Sequence, residues 1–294
     1  MDITWHTKHL QPRQMIAIPL VLAAFFAAAF LIRGVPMSIE FSSGTMITYR
    51  NLENSPNADA VESALSTVLV ADVKAVTTQD SATGTFGLDI QTTNALDENG
   101  QEQVQRTIAD QFGIQSTPEF YAIEPAISQT YLRGAMWAMV LSFIAMFVIV
   151  SIVFRHKIVG VMLPCVGINM IWALGGLALL QIQFSLASLT GFLLMIGFSI
   201  DTNILLTEHM LRRVGGEPRE RMATAMLTGW MITGTSLATM ICINILVTNP
   251  SITQLVTVLT FGLAGDLVNT WFLNGGALVW YTERQKRKEY YVSL

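Results

Sequence analysis

Two aspartates, Asp201 and Asp266, stand inside apolar runs long enough to cross a membrane, and each is followed closely by an amide, Asn203 and Asn269. A charged group at the centre of a spanning helix costs at least about 2.5–3.5 kcal/mol on insertion scales, so it is expected to face a bundle interior or a watery path. A carboxyl group in low dielectric can gain and lose a proton near neutral pH, which is what a proton carrier needs. The alternative is structural: both carboxyls are protonated or capped by neighbouring hydroxyls and amides, and glue helices together. Capping groups are at hand in Thr202, Asn203 and Asn269 and, on the fifth apolar run, in Thr228, Thr233, Thr235, Ser236 and Thr239. No Lys or Arg lies deep in any run, so no buried ion pair is expected. Glu208 and His209 fall nearer a run's end and read as interfacial. Gly191, Gly197, Gly229 and Gly234 would permit close helix approach.

The elements that must hold these groups follow from composition. Of 294 residues 52% are hydrophobic and 13% charged, with a net charge of −4, and the mean hydropathy is +0.48. Soluble domains carry about 25% charged residues. The composition excludes a soluble enzyme, a nucleic-acid binder and a disordered tail protein, and leaves a polytopic membrane protein. Six runs approach the roughly 20 residues of a spanning helix: 15–32, 135–154, 158–180, 184–206, 223–247 and 252–281. The first also resembles a cleaved signal peptide, with Lys8 and Arg13 ahead of it and Ala27-Ala28-Ala29 as a small-residue site. It exceeds the usual apolar region of roughly 7–15 residues, and an uncleaved anchor is the better reading. Cys165 and Cys242 lie in apolar runs and read as small hydrophobes rather than a disulfide, redox pair or metal site. No cofactor is expected. No Walker motif or Gly-rich phosphate loop occurs, so ATP is not the expected energy source.

Lys and Arg gather at Lys8 and Arg13, at Arg155-His156-Lys157, at Arg212, Arg213, Arg219 and Arg221, and at Arg284, Lys286, Arg287 and Lys288. The intervening tight hairpins carry no charge. The positive-inside rule then places both termini in the cytoplasm and the interval 35–132 outside. That interval has 13 acids and 3 bases, a net of −10, against +6 for the rest. It reads as a strand over 46–49, a helix over 58–69 capped by Asn57, strands over 73–78 and 86–92 joined at Gly84, a helix over 98–112 ended by Gly113, and a strand over 117–123. The order β-α-β-β-α-β is ferredoxin-like. The expected domains are 1–34 (cytoplasmic N-terminus and first span), 35–132 (extracytoplasmic α+β ferredoxin-like domain), 133–282 (five-span membrane α-helical bundle) and 283–294 (basic cytoplasmic tail).

One span, an outer ferredoxin-like domain and five further spans, with Ile39-Glu40-Phe41-Ser42-Ser43-Gly44-Thr45 after the first span, resemble the SecF type of the SecD/SecF protein-export family. Phe41, Gly44 and Thr45 agree with the family's G-x-D-F-x-G-G-T, while Glu40 stands for the Asp and Ser43 for a Gly. The stretch 197–202 is similar to the family's G-Y-S-I-N-D-T, one residue shorter, which places Asp201 on the family's membrane aspartate. The segment 228–236 resembles the Thr/Ser-rich R-T-x-x-T-S-x-T-T. Gly229 stands where bacterial members have Arg, so their Asp–Arg switch cannot operate here in that form. Asp266 within Gly265-Asp266-Leu267-Val268-Asn269-Thr270-Trp271 resembles the archaeal branch.

The resemblance implies an RND-like half-bundle and an auxiliary role beside the Sec translocation channel in the cell membrane. It also implies a SecD-like partner, contact with translocating polypeptides and membrane lipid, no nucleic acid, and no enzymatic activity. The expected mechanism is protonation of Asp201, with Asp266, supported by Thr202, Asn203, Thr233, Thr235, Ser236 and Asn269. It is coupled to movement of the outer domain through connectors at 34–37 and 124–131. The coupling ion, H⁺ or Na⁺, stays open. Two alternatives stand beside this: an RND-type small-solute efflux half-transporter, which needs an apolar pocket in its outer domain, and a structural assembly subunit, in which both aspartates are replaceable by asparagine.

Overall fold

In the computed structural model the described residues are 10–79, 84–154, 160–212, 217–247 and 249–292, with side chains described to Gln285. Lys8, the turn before Gly84, Arg155-His156-Lys157, Arg213, Thr248 and the side chains of Lys286, Arg287 and Lys288 lie outside them. Six helices among the described residues are long and apolar enough to cross a membrane. They are α1 (Pro12–Arg33), α5 (Pro125–Phe154), α6 (Met162–Leu180), α7 (Leu186–Leu211), α8 (Pro218–Leu246) and a last span of three joined pieces. These pieces are α9 (Pro250–Val268), a π-helical segment (Asn269–Asn274) and α10 (Gly275–Val292). Prolines open α1, α8 and α9, where the missing N–H costs no helical bond.

Between α1 and α5 come a short helix α2 (Ile39–Ser42), β1 (Gly44–Leu52), α3 (Ala58–Leu69), β2 (Val73–Gln79), β3 (Phe86–Thr92), α4 (Glu98–Phe112) and β4 (Glu119–Ile123). The sheet order is β2-β3-β1-β4, antiparallel throughout, the ferredoxin-like arrangement expected from element order. Asn57 Oδ1 accepts the amides of Asp59 and Ala60 at the start of α3. Asp97 does the same for Gly100 at α4, and left-handed Gly113 ends that helix. Alternate residues Ile47, Tyr49, Leu88 and Ile90 point to one face and close over Val61, Leu65, Val104 and Ile108.

The connectors differ from the expectation. Pro125 opens α5 directly after β4, so 125–131 forms the first turns of a spanning helix rather than a loose link. On the other side the chain 36–38 is stitched to the turn between α6 and α7. The Phe184 amide donates to the Pro36 carbonyl at 2.8 Å, and the Ser38 amide donates to the Phe184 carbonyl at 2.9 Å. Backbone turns with positive φ sit at Gly34 (64°), Ser43 (67°) and Gly44 (133°). A Cβ on Gly44 would lie 2.1 Å from the Thr92 carbonyl oxygen, so β1 can begin here only with glycine. Gly44 pairs with Ile123, and the outer domain thus joins the bundle through two neighbouring strand ends.

Candidate functional site: a buried carboxylate cluster in the bundle

Asp266 is fully buried on α9, facing α6 and α7. Its Oδ1 accepts from Asn169 Nδ2 of α6 at 2.9 Å, Ser199 Oγ of α7 at 2.6 Å and Thr270 Oγ1 at 2.9 Å. Its Oδ2 accepts from Thr202 Oγ1 at 2.6 Å. Two amide chains converge on this centre. Asn269 Nδ2 donates to Asn169 Oδ1; Asn274 Nδ2 donates to Asn203 Oδ1 at 2.8 Å, and Asn203 Nδ2 donates to Thr270 Oγ1 at 3.0 Å. At the outer ends of both chains, Asn269 Oδ1 and Asn274 Oδ1 are buried acceptors without a partner among the described residues. Every hydrogen bond to the carboxylate comes from a neutral hydroxyl or amide. The arrangement can hold a charge by oriented dipoles, with no basic partner among the described residues.

The last span is built to supply this cluster. Asp266, Asn269, Thr270 and Asn274 recur at i, i+3, i+4 and i+8, one stripe of a helix. The stripe runs into the π segment, a widening that is frequent at functional sites. On α7, Ser199, Thr202 and Asn203 have the same spacing and are all buried. Sequence reasoning named Thr202, Asn203, Asn269 and Asp266, and the structure brings them together. It missed Asn169, Ser199, Thr270 and Asn274 as members. An amide midway along 158–180 and the i+4 repeat through Asn274 are the signals that could have found them.

Asp201 lies elsewhere. One residue from Thr202 means about 100° around the helix, and Asp201 is exposed, with no hydrogen-bond or ion-pair partner among the described residues. It continues an exposed stripe of Thr190, Leu194, Gly197 and Phe198. Thr233 is buried but bonds to neither aspartate; Thr235 and Ser236 bond back to carbonyls of their own helix α8. The hydroxyls that hold Asp266 therefore come from α7 and from Thr270 of the last span itself, not from α8. Gly191 packs against the Leu255 carbonyl and Gly229 against Trp271, while Gly197 and Gly234 face open space. A Cβ at Gly229 would lie 2.1 Å from the Trp271 ring, so a tryptophan from the π segment fills the space beside Gly229.

The motif after α1 connects the cluster's helices to the outer domain. Phe41 is buried and stacks on Phe184 with ring centroids 5.3 Å apart. Glu40 Oε2 accepts the Leu186 amide at 3.0 Å, at the first turn of α7, where a carboxylate opposes the helix dipole. Ser185, the N-cap of α7, donates to Gln254 Oε1 of α9 at 2.5 Å. Thr45 accepts the Leu96 amide and donates to the Asn94 carbonyl, both at 3.1 Å. A continuous set of contacts thus runs from the sheet through 36–45 to α7 and α9, the helices that hold Asp266.

A six-span bundle with a ferredoxin-like domain between its first two spans and a buried carboxylate held by neutral donors defines a polytopic membrane protein. The family model described as Protein export membrane protein SecD/SecF, C-terminal, matches residues 103–284, and the chain belongs to this protein-export family. It is 30% identical over 284 residues to the protein-export membrane protein SecF of Haloquadratum walsbyi, covering 91% of this chain and 92% of that one. It is 29% identical over 280 residues to SecF of Methanothermobacter thermautotrophicus, covering 92% and 93%. The crystal structure of SecDF from Thermus thermophilus, a translocon-associated membrane protein, superposes with a TM-score of 0.75 at 17% identity over 92% of this chain. The chain spans 38% of that SecDF chain.

Proposed function

We propose that this chain is an auxiliary, non-catalytic subunit of the Sec protein translocase that assists polypeptide export across the cell membrane. Asp266 is its coupling carboxylate, gaining and losing a proton as the gradient is dissipated. The observation that carries the reading is the fully buried Asp266 held by four neutral donors on helices tied through Glu40, Phe41 and Ser185 to the foot of the outer domain. Protonation removes the charge those dipoles hold and so changes the packing of α7 against α9. The bends at Gly34 and Ser43-Gly44 are where that change becomes rotation of residues 44–123. The gathering of Lys and Arg at alternate loops supports cytoplasmic termini and an outer domain on the far side.

Asp201 has a different role in this proposal. An unpartnered carboxylate on the outer face of α7, with Gly197 open beneath a neighbour's approach, suits a helix of a SecD-like subunit carrying a hydrogen-bond donor. The translocation channel and the emerging polypeptide are met by the assembled pair. Asp266→Asn and Asp201→Asn, each in the full complex, test the division. Asp266→Asn is expected to abolish the gradient-dependent part of reporter secretion while the complex still co-purifies. Asp201→Asn is expected to reduce recovery of the partner. Gradient-dependent export at the wild-type rate with Asp266→Asn would remove the coupling role and favour the structural-subunit reading.

A further inference from the structure

Donor and acceptor roles around Asp266 can be assigned one hydroxyl at a time, because a hydroxyl has one proton and an amide nitrogen donates without accepting. Asn169 Nδ2 donates to Ser199 Oγ at 2.8 Å and to Asp266 Oδ1. Ser199 Oγ therefore receives an amide, and its own proton has one acceptor among the described residues, Oδ1. Thr270 repeats the pattern, receiving Asn203 Nδ2 and donating to Oδ1. Oδ1 is met by three donors: the Ser199 and Thr270 hydroxyls have no other acceptor among the described residues, and the second hydrogen of the Asn169 amide is already taken by Ser199 Oγ. Oδ2 is met by Thr202 Oγ1 alone, and that hydroxyl has a second acceptor in reach, the Ser199 carbonyl at 3.0 Å.

We propose that Thr202 is the positioning residue for protonation of Asp266: the proton is held on Oδ2, and the Thr202 hydroxyl turns between two acceptors as that proton comes and goes. With the carboxylate ionised, the Thr202 O–H donates to Oδ2. When Oδ2 takes one proton from hydronium, leaving water, the new O–H donates to Thr202 Oγ1 and Thr202 turns its own proton to the Ser199 carbonyl. Loss of the proton to water reverses both moves, and Thr202 never gives up its own hydrogen. The Ser199 carbonyl also receives Asn203 Nδ2 at 2.7 Å, so it keeps a donor when Thr202 turns away. A proton on Oδ1 would instead point at one of three hydrogens with no alternative direction.

The titratable group facing the cluster from α6 is the buried Cys165 thiol, 4.0 Å from the Asn269 carbonyl. On α7, Asp201 and Glu208 are exposed and His209 lies against the Leu205 carbonyl. On α8, Arg221 holds the Met210 carbonyl and Cys242 is exposed. The groups of α1, Arg13 and Arg33, lie at its two ends.

This inference rests on the reading of Asp266 as the group that titrates, and infrared difference spectra of the full complex against pH test the two separately. The wild type is expected to show a carboxylic C=O band that Asp266→Asn removes. Because that C=O is Oδ1, Ser199→Ala is expected to raise its frequency by deleting one of three donors. Thr202→Val is expected to leave the frequency in place while changing the proton affinity about tenfold, the worth of one hydrogen bond to a charged group. Thr202→Ser, which keeps the hydroxyl, is expected to restore wild-type behaviour. A frequency rise in Thr202→Val, or an unchanged affinity, would overturn the role of Thr202 alone. Absence of any band lost in Asp266→Asn would overturn it together with the coupling role.

Discussion

Between the sheet and helices of the outer domain the buried cluster is Ile47, Tyr49, Leu52, Val61, Leu65, Val73, Leu88, Ile90, Val104 and Ile108, with the Tyr49 hydroxyl its one polar side-chain atom. Between α6, α7 and the last span the buried side chains include a carboxylate, three hydroxyls and four amides, linked into one hydrogen-bonded group. The outer domain folds in water, where removing apolar surface is the driving force. Inside a bilayer the surroundings are already apolar, so helices gain specificity from close packing and from polar groups that must find one another. The contrast explains why the region with the more demanding chemistry is the one in the membrane.

Three substitutions separate the two regions. The largest effect is expected from Gly229→Arg, which drives a side chain into the Trp271 ring. Overpacking costs about 1–3 kcal/mol, and the charge adds about 2.5–3.5 kcal/mol at mid-span. Thermal unfolding of the purified complex should show the bundle lost while the outer domain keeps its own transition. A single shared transition would show that the two are not independent.

Glu40→Ala acts at the junction. It removes the acceptor for the Leu186 amide, worth about 1 kcal/mol at a helix N-terminus. Hydrogen exchange at the first turn of α7 should quicken about fivefold, with the sheet amides unchanged. Equal protection in both proteins would mean that the foot of the outer domain does not hold α7.

The smallest effect belongs to the outer domain alone. Burial pushes the Tyr49 hydroxyl from 10.0 up to about 12. Its folded form thus binds the proton more tightly than the unfolded form, and its stabilisation is complete below pH 10 and lost as pH rises from 10 to about 12. Tyr49→Phe should be nearly neutral at pH 7, since the hydroxyl has no partner among the described residues, and should flatten the alkaline decline of the domain's melting temperature.

Much of the fold was legible in the sequence because it rests on local regularities. Helices 58–69 and 98–112 carry their caps beside them, and four strands alternate visibly. The apolar run of α5 was read from 135 because Glu124, Gln129 and Arg133 lower the local hydropathy; the structure begins the helix at Pro125, where the missing N–H costs no helical bond. The site was half legible. Both aspartates were visible as costly groups, and Thr202, Asn203 and Asn269 as their neighbours in sequence. Which aspartate is buried was not visible, because a one-residue step turns a side chain through about 100° and no periodicity says which face a neighbour will cover.

The sequence by itself determined six apolar runs, an acidic insertion of β-α-β-β-α-β order, the absence of deep basic residues, and the two carboxyl groups, Asp201 and Asp266, that stand within the apolar runs. Only the tertiary structure decided that Asp266, with Asn169 from one helix and Ser199 and Thr202 from another, forms a closed hydrogen-bonded centre while Asp201 faces outward. The reason is geometric: hydrogen bonds need partners within about 3 Å, and residues 64 to 97 positions apart reach that distance only through the packing of α6 and α7 against α9.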